Sequence, residues 1–224
     1  MWKLAKGQAK SSNDSFKKNT EERKFRNIIS NYSNNLQDFL TIIKNLSPDN
    51  CDNLFDILQK NCKNVNIILL NYAVCNNNGK DIIFYEADTL STMNKDWLTK
   101  DTSRFCNTPY KEIICKTITI DKLIEHYGLP DLIKIDVEGG EYECITSLTK
   151  KVNLLCFEWA SEINDITFKC LDYLYSLGYT KFCMQMQDNY VFRPNDNDFY
   201  DISTIKTKLS NTIPKQDWGM IWCK

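Results

Sequence analysis

The 224-residue chain is 42% hydrophobic and 12% aromatic, with 28 basic and 29 acidic residues and a formal net charge of -1. This composition is typical of a soluble globular protein and not of a disordered or membrane-spanning one. The balanced charge offers no basic surface for phosphates, so we expect no nucleic-acid partner. The length predicts one sizeable α/β domain with extensions.

The cysteines and the hydropathy pattern both favour a reducing, cytoplasmic location. None of the ten cysteines forms a CxxC motif, and several lie in apolar runs such as "NLLCF", which predicts reduced core thiols. The first residues, "MWKLAKGQAKSSNDSFKK", lack the apolar stretch of a signal peptide, and the longest apolar run, "VNIILLNYAVC", is too short to cross a bilayer. We therefore expect a cytoplasmic protein without a membrane partner.

The first quarter of the chain has the pattern of helices. After a polar leader, apolar residues recur at steps of three and four from Phe25 to Ile43, which predicts a long helix. A second helix is expected from Ser47, the N-cap, with Pro48 in its first position. We place a domain boundary here, with the leader and the first helix in 1–46 and an α/β domain in 47–224.

The remainder alternates between strand and helix patterns. A polar stretch over 89–110 is long enough to be a lid or a disordered insert. Alternation of this kind predicts βαβ units, a parallel sheet and helices on both of its faces. The expected strands are 65–74, 81–86, 112–120, 132–137, 153–159 and 179–186, and the expected helices are 121–131, 140–150 and 163–177.

The stretch "IKIDVEGGE", from Ile133 to Glu141, places charged residues in an apparently buried strand. In an extended strand Lys134, Asp136 and Glu138 project from one side, and Glu158 holds the equivalent place in the next strand. Ligands of open α/β sheets bind beyond the carboxyl ends of the strands, where a carboxylate can take a hydroxyl proton, coordinate a divalent ion or balance a cation. A buried ion pair with Lys134 that merely fixes the strand register is weighed equally.

Two further features of the sequence have simple structural explanations. Gly139 and Gly140 suit a sharp turn from strand into helix. Trp97, Trp159 and Trp218 could stack on an adenine or a sugar, but their apolar spacing favours core positions.

The motifs "TIDKL", "LIKIDVEGGE" and "CFE" together resemble those of the FkbM family of S-adenosylmethionine-dependent methyltransferases. The segment 47–86 is similar to that family's second helix, third strand and following hairpin. The resemblance covers 47–160 well and the rest loosely, and the KIDVEGxE match is far more specific than a lone GxG.

This resemblance implies a Rossmann-like fold and methyl transfer from S-adenosylmethionine to the hydroxyl of a small molecule or glycan. By position, Asp136 is the first candidate for the base or for substrate orientation, Glu138 and Glu158 come next, and Lys134 would orient the carboxylates. The cofactor contacts implied are Asn45, Asn71, Ala73 and Asp136. No metal ligand is assigned, and a divalent-metal requirement stays open.

The chain departs from the family pattern where the cofactor should bind. Residues 19–46 contain no glycine, so the family's D-x-G-A-N-x-G turn is not found, and Asn45 stands where an acidic residue would hold the ribose. The helical period there leaves open whether the first two strands of the sheet are present. Two hypotheses follow: an O-methyltransferase acting on a sugar or glycan, or an inactive methyltransferase-like scaffold that binds a glycan or protein partner and has lost the cofactor.

Overall fold

The computed structural model describes Ile68 and residues 70–189 and 191–224. The predicted N-terminal helices and the question of the first two strands lie outside these residues. Residues 70–224 belong to one compact unit that contains two sheets. No helix of the described residues is both long and apolar enough to cross a membrane.

The smaller sheet has three strands in the order β1-β3-β2, with β1 parallel and β2 antiparallel to β3. Gly79, in the left-handed region at φ 71°, belongs to the predicted turn between β1 and β2. Part of the predicted strand 65–74 lies outside the described residues, and its end forms β1. The strands are β1 (Ala73–Val74), β2 (Asp81–Glu86) and β3 (Lys111–Ile118).

The segment between β2 and β3 is an ordered part of the fold. It contains helix α1 (Lys95–Thr99), which begins after Asn94, whose side chain accepts a hydrogen bond from the Asp96 backbone N–H. Trp97 and Leu98 of α1 are buried and form a small apolar cluster with Ala160 and neighbouring residues. The prediction of a disordered insert in 89–110 is therefore wrong, because this segment has its own buried contacts.

The larger sheet has the order β4-β5-β7-β6. β4 and β5 are parallel as predicted, but β7 lies antiparallel between β5 and β6, so the expectation of an all-parallel sheet is wrong. Its strands are β4 (Leu132–Ile135), β5 (Leu154–Ala160), β6 (Phe182–Met186) and β7 (Trp218–Cys223). The helices are α2 (Ile120–Tyr127), α3 (Glu141–Ile145), α4 (Asn164–Ser176) and α5 (Ile202–Ser210), and short 3-10 turns occur at Asp88–Leu90, Ser161–Ile163 and Asp196–Asp198.

The main core lies on one face of this sheet. Ile135, Phe157 and Ile221 lie side by side on β4, β5 and β7 and are fully buried against helices α2 to α5. Each fully buried side chain of this size contributes about 1.5–3 kcal/mol to folding. The sequence predicts helices on both faces of the sheet. Within the described residues, this prediction is confirmed for this face alone.

The opposite face of the sheet carries polar residues. Lys134 of β4 pairs with Cys156 in the register of β5, and Glu158 follows two residues later on the same side. Gly219 of β7 is required here by close packing, because a Cβ at this position would collide with the Gln185 carbonyl oxygen of β6. Among the described residues, helices α2 to α5 pack on the other face, and the charged side of β4 and β5 contains the site.

The described cysteines are free thiols. Six of them are buried, which confirms the prediction of reduced core cysteines, while Cys106 and Cys115 are half-buried. Cys51 and Cys62 lie outside the described residues.

Candidate functional site

The geometry of the site begins with the turn that follows β4. Glu138 and Gly139 both have left-handed backbone conformations, at φ 53° and 84°, and reverse the chain into α3. A Cβ at position 139 would lie 3.2 Å from Asn94 Nδ2 and 3.5 Å from the Trp97 ring. Glycine at 139 is thus required both by the backbone and by its neighbours, and the turn places Glu138 under the β2–β3 segment.

The β2–β3 segment holds this turn through three hydrogen bonds. The Thr92 hydroxyl donates to the Glu138 carbonyl oxygen at 2.7 Å, and Asn94 Nδ2 donates to the Gly139 carbonyl oxygen at 3.1 Å. The Trp97 indole N–H donates to the Glu138 carboxylate at 2.9 Å. Sequence reasoning placed Trp97 in the core, which is confirmed, but missed its bond to the site, for which the local sequence gives no signal.

Three of the predicted site residues meet in one group. Carboxylate oxygens of Asp136, Glu138 and Glu158 lie within 4.8 Å of one another, and these three residues are called the carboxylate cluster below. Asp136 directly follows β4, whereas Glu158 lies inside β5 and not at its end. Oxygens at this spacing can surround a cation or share protons.

Lys134 lies beside the carboxylate cluster and neutralises part of its charge. Its ammonium nitrogen is 2.7 Å from Asp136 Oδ2 and 2.8 Å from Asp188 Oδ2. The prediction that Lys134 orients a carboxylate of its own strand agrees with this geometry, but Asp188, which follows β6, was missed. A positive charge this close to Asp136 offsets part of the negative charge of the cluster.

The electrostatic environment raises the pKa values of the buried acids. Burial raises the pKa of Glu138 to about 7; the Asp136 charge adds to this, and the Trp97 hydrogen bond opposes it. Burial also raises the pKa of Glu141 to about 8, and, together with the nearby acidic charges, raises that of Glu158 well above its usual range. Although burial alone would lower the pKa of Lys134, the Asp136 and Asp188 charges raise it above its ordinary value. At neutral pH this group therefore holds protons that ordinary surface carboxylates would have lost.

A small hollow of about 80 Å³ opens beside the cluster. It lies where β1 and β4 end, and Asp136 is the cluster member that lines it. The Asp136 side chain is 37% exposed, so it remains accessible while it pairs with Lys134. The other lining residues are Tyr72, Ala73, Val74, Phe84, Ser91, Met93 and Val137.

The residues expected to contact the cofactor differ in their position relative to the hollow. Ala73 lines the hollow together with Asp136. Asn71 is exposed and precedes the lining residue Tyr72. Asn45 lies outside the described residues.

A family model described as the methyltransferase FkbM domain matches residues 30–181. The chain belongs to the FkbM methyltransferase family. No curated protein and no solved structure matched the sequence. Membership of the FkbM family implies S-adenosylmethionine as the methyl donor and indicates no acceptor.

Proposed function

We propose that this FkbM methyltransferase transfers a methyl group from S-adenosylmethionine to a hydroxyl of a sugar or glycan, with the hydroxyl bound against Asp136. The observation that supports this most is the accessible Asp136 carboxylate, which lines a hollow and belongs to a cluster of acids with raised pKa values. A merely structural ion pair with Lys134 would not need the two further carboxylates behind it.

The residues of the hollow suit the sulfonium end of the cofactor. Ala73, Val74 and Met93 offer apolar contacts for a methyl group and its methylene neighbours, and Asp136 offers a negative charge for a cation. The hollow of about 80 Å³ would take this end of the cofactor, and the rest of the cofactor would extend from it. S-adenosylmethionine, when bound, supplies an electrophilic methyl group.

The chain's own contribution is to orient the acceptor and to remove its proton. Lys134 fixes the Asp136 carboxylate, and Asp136 accepts the hydrogen bond of the acceptor hydroxyl. As the new O–C bond formed, the methyl C–S bond of the donor would break and release the neutral thioether, and the hydroxyl proton would pass to Asp136 and on to Glu138. Because the pKa of Glu138 is about 7, it is partly ionised at neutral pH and can take this proton, as an efficient general base requires. Burial and the charges of the neighbouring acids also raise the pKa of Glu158.

The test begins with the cofactor. Calorimetry with S-adenosylmethionine should give a saturable heat, and incubation with the methyl-labelled cofactor and a panel of monosaccharides and methyl glycosides should yield a labelled O-methyl sugar. Absence of binding at millimolar cofactor would overturn the proposal and leave the scaffold hypothesis.

A pair of variants then tests the role of Asp136. Asp136→Asn should lower methyl transfer by about 10²–10⁴-fold. The matched control is Asp188→Asn, which removes the same charge from the same lysine at a side chain that is 13% exposed and is not among the lining residues of the hollow. Equal losses in the two variants would mean that only the charge balance of Lys134 matters.

A further inference from the structure

The Trp97 indole is held firmly in the β2–β3 segment. The residue is 3% exposed, and its ring contacts Phe105 edge-on at 5.3 Å between centroids. Its carbonyl oxygen accepts a hydrogen bond of 2.5 Å from the buried Ser103 hydroxyl. Both ends of the residue are therefore fixed, and the direction of its N–H is fixed with them.

Glu138 depends on this segment for its conformation. A non-glycine residue in the left-handed region is uncommon and persists where its surroundings hold it. Here the Thr92 hydroxyl and the Asn94 amide bind consecutive carbonyl oxygens of the turn, at Glu138 and Gly139. The backbone and the carboxylate of Glu138 are thus both held by residues 92–97.

The hydrogen bond from Trp97 meets one carboxylate oxygen, Oε2, and leaves Oε1 available to the rest of the cluster. An apolar core position can be filled by many side chains, but an indole N–H directed at a carboxylate fixes that carboxylate and favours its charged form. We propose that Trp97 is a positioning residue for Glu138, holding its carboxylate in the carboxylate cluster so that it can receive the acceptor's proton. The contact between Trp97 and Glu138 does not depend on the proposed function. Only the purpose of the positioning, which is proton transfer from the acceptor, rests on that function.

Charged groups from every neighbouring element act on Glu138. The negative Asp136 and the positive Lys134 come from β4 and its end, and the positive Arg104 comes from the β2–β3 segment. Glu158 of β5 and Glu141 of α3 are further acids that interact with the Glu138 charge. Any test must therefore separate the effect of Trp97 from the effects of these charges.

Indole nuclear magnetic resonance of the whole chain provides such a test without cofactor or acceptor. The five tryptophans give five indole N–H signals, and Trp97→Phe identifies that of Trp97 by its disappearance. This signal should move with pH with a midpoint near 7, the pKa of Glu138, and Glu138→Gln should abolish the step. The matched control is Trp222→Phe, which loses an indole N–H bonded to Gln185 Oε1 at the same 2.9 Å and should leave the step unchanged.

A second measurement follows Glu138 directly. With carboxyl-¹³C glutamate, the midpoint of the Glu138 signal should rise by about one pH unit in Trp97→Phe, because a donor to the charged form is lost, and should stay in place in Trp222→Phe. A Glu138 midpoint that rises in Trp97→Phe and stays in place in Trp222→Phe supports positioning even if no methyl transfer is ever detected. A Trp97 signal that titrates equally in Glu138→Gln, or an unmoved Glu138 midpoint, overturns it. If Trp97→Phe does not fold, the comparison of wild type with Glu138→Gln decides alone.

Discussion

Glu141 provides a sharp test of the electrostatics of this fold. The residue is 2% exposed, Oε1 accepts a hydrogen bond from the Val137 backbone N–H at 3.2 Å, and Oε2 has no hydrogen-bond partner among the described residues. Burial raises its pKa from 4.5 to about 8, so the folded state binds a proton that the unfolded state has lost over most of this range. The free energy of unfolding must therefore fall as pH rises from about 4.5 to about 8.

The size of this effect follows from the shift. One group of this kind changes the free energy of unfolding by about 1.36 kcal/mol per pH unit between its two pKa values. Between pH 5 and pH 8 the loss is about 2–4 kcal/mol, the lower figure allowing for the neighbouring acids that share the same protons. Glu141→Gln removes the titrating group and keeps an oxygen for the Val137 N–H. Between pH 5 and pH 8 the free energy of unfolding of this variant should therefore fall by about 2–4 kcal/mol less than that of the wild type.

Urea unfolding at several pH values between 5 and 8.5 measures this difference. The matched control is Glu143→Gln, because Glu143 lies in the same first turn of α3 and is exposed. The Glu143→Gln variant loses the same interaction with the helix dipole but relieves no burial. The pH dependence of its free energy of unfolding should therefore equal that of the wild type. A Glu141→Gln variant with the wild-type slope would refute the assignment of a buried, proton-binding Glu141.

Two further substitutions test how the site is built. Lys134→Met should lower the free energy of unfolding at pH 8 by about 2–4 kcal/mol, because it leaves Asp136 and Asp188 without their shared cation. The loss should shrink at pH 5, because Glu138, with a pKa of about 7, is then protonated and adds no negative charge to the cluster. An equal loss at both pH values would contradict the charge argument. Gly139→Ala should lower the free energy of unfolding by about 2–3 kcal/mol, because φ is positive and the new Cβ would lie 3.2 Å from the Asn94 side chain. Gly79 also has a positive φ but open space around it, so Gly79→Ala should cost only about 1 kcal/mol. Thermal or urea unfolding measures both, and equal losses in the two glycine variants would show that the contact with Asn94 has no effect.

Local sequence patterns were sufficient for much of the fold. β2, β3, α2, β5, α4 and β6 occur where the apolar periodicity and the turn residues predict them, because each is decided by its own residues. Helix α3 ends at Ile145, earlier than predicted. The position of β7 could not be predicted in this way, since an antiparallel strand between β5 and β6 is chosen by distant pairing partners and not by its own alternation.

The same distinction applies to the site. The meeting of Asp136 and Glu158 was predictable, because both project from one side of adjacent parallel strands. The contributions of Trp97 and Asp188 were not, since each reaches the site from a segment far away in the chain. The left-handed conformation of Glu138 was also hidden, because nothing in the residue type demands it.

The place of β7 sets an order of assembly for the larger sheet. β4 and β5 can pair as soon as residues 132–160 are available, but β6 gains a neighbour only when residues 218–223 arrive to separate it from β5. During synthesis on the ribosome, the edge of β6 stays open while residues 187–223, including α5, are translated, and that of β5 stays open while residues 161–223 are translated. This interval is the stage at which a nascent chain of this kind is most exposed to intermolecular strand pairing and most in need of a chaperone.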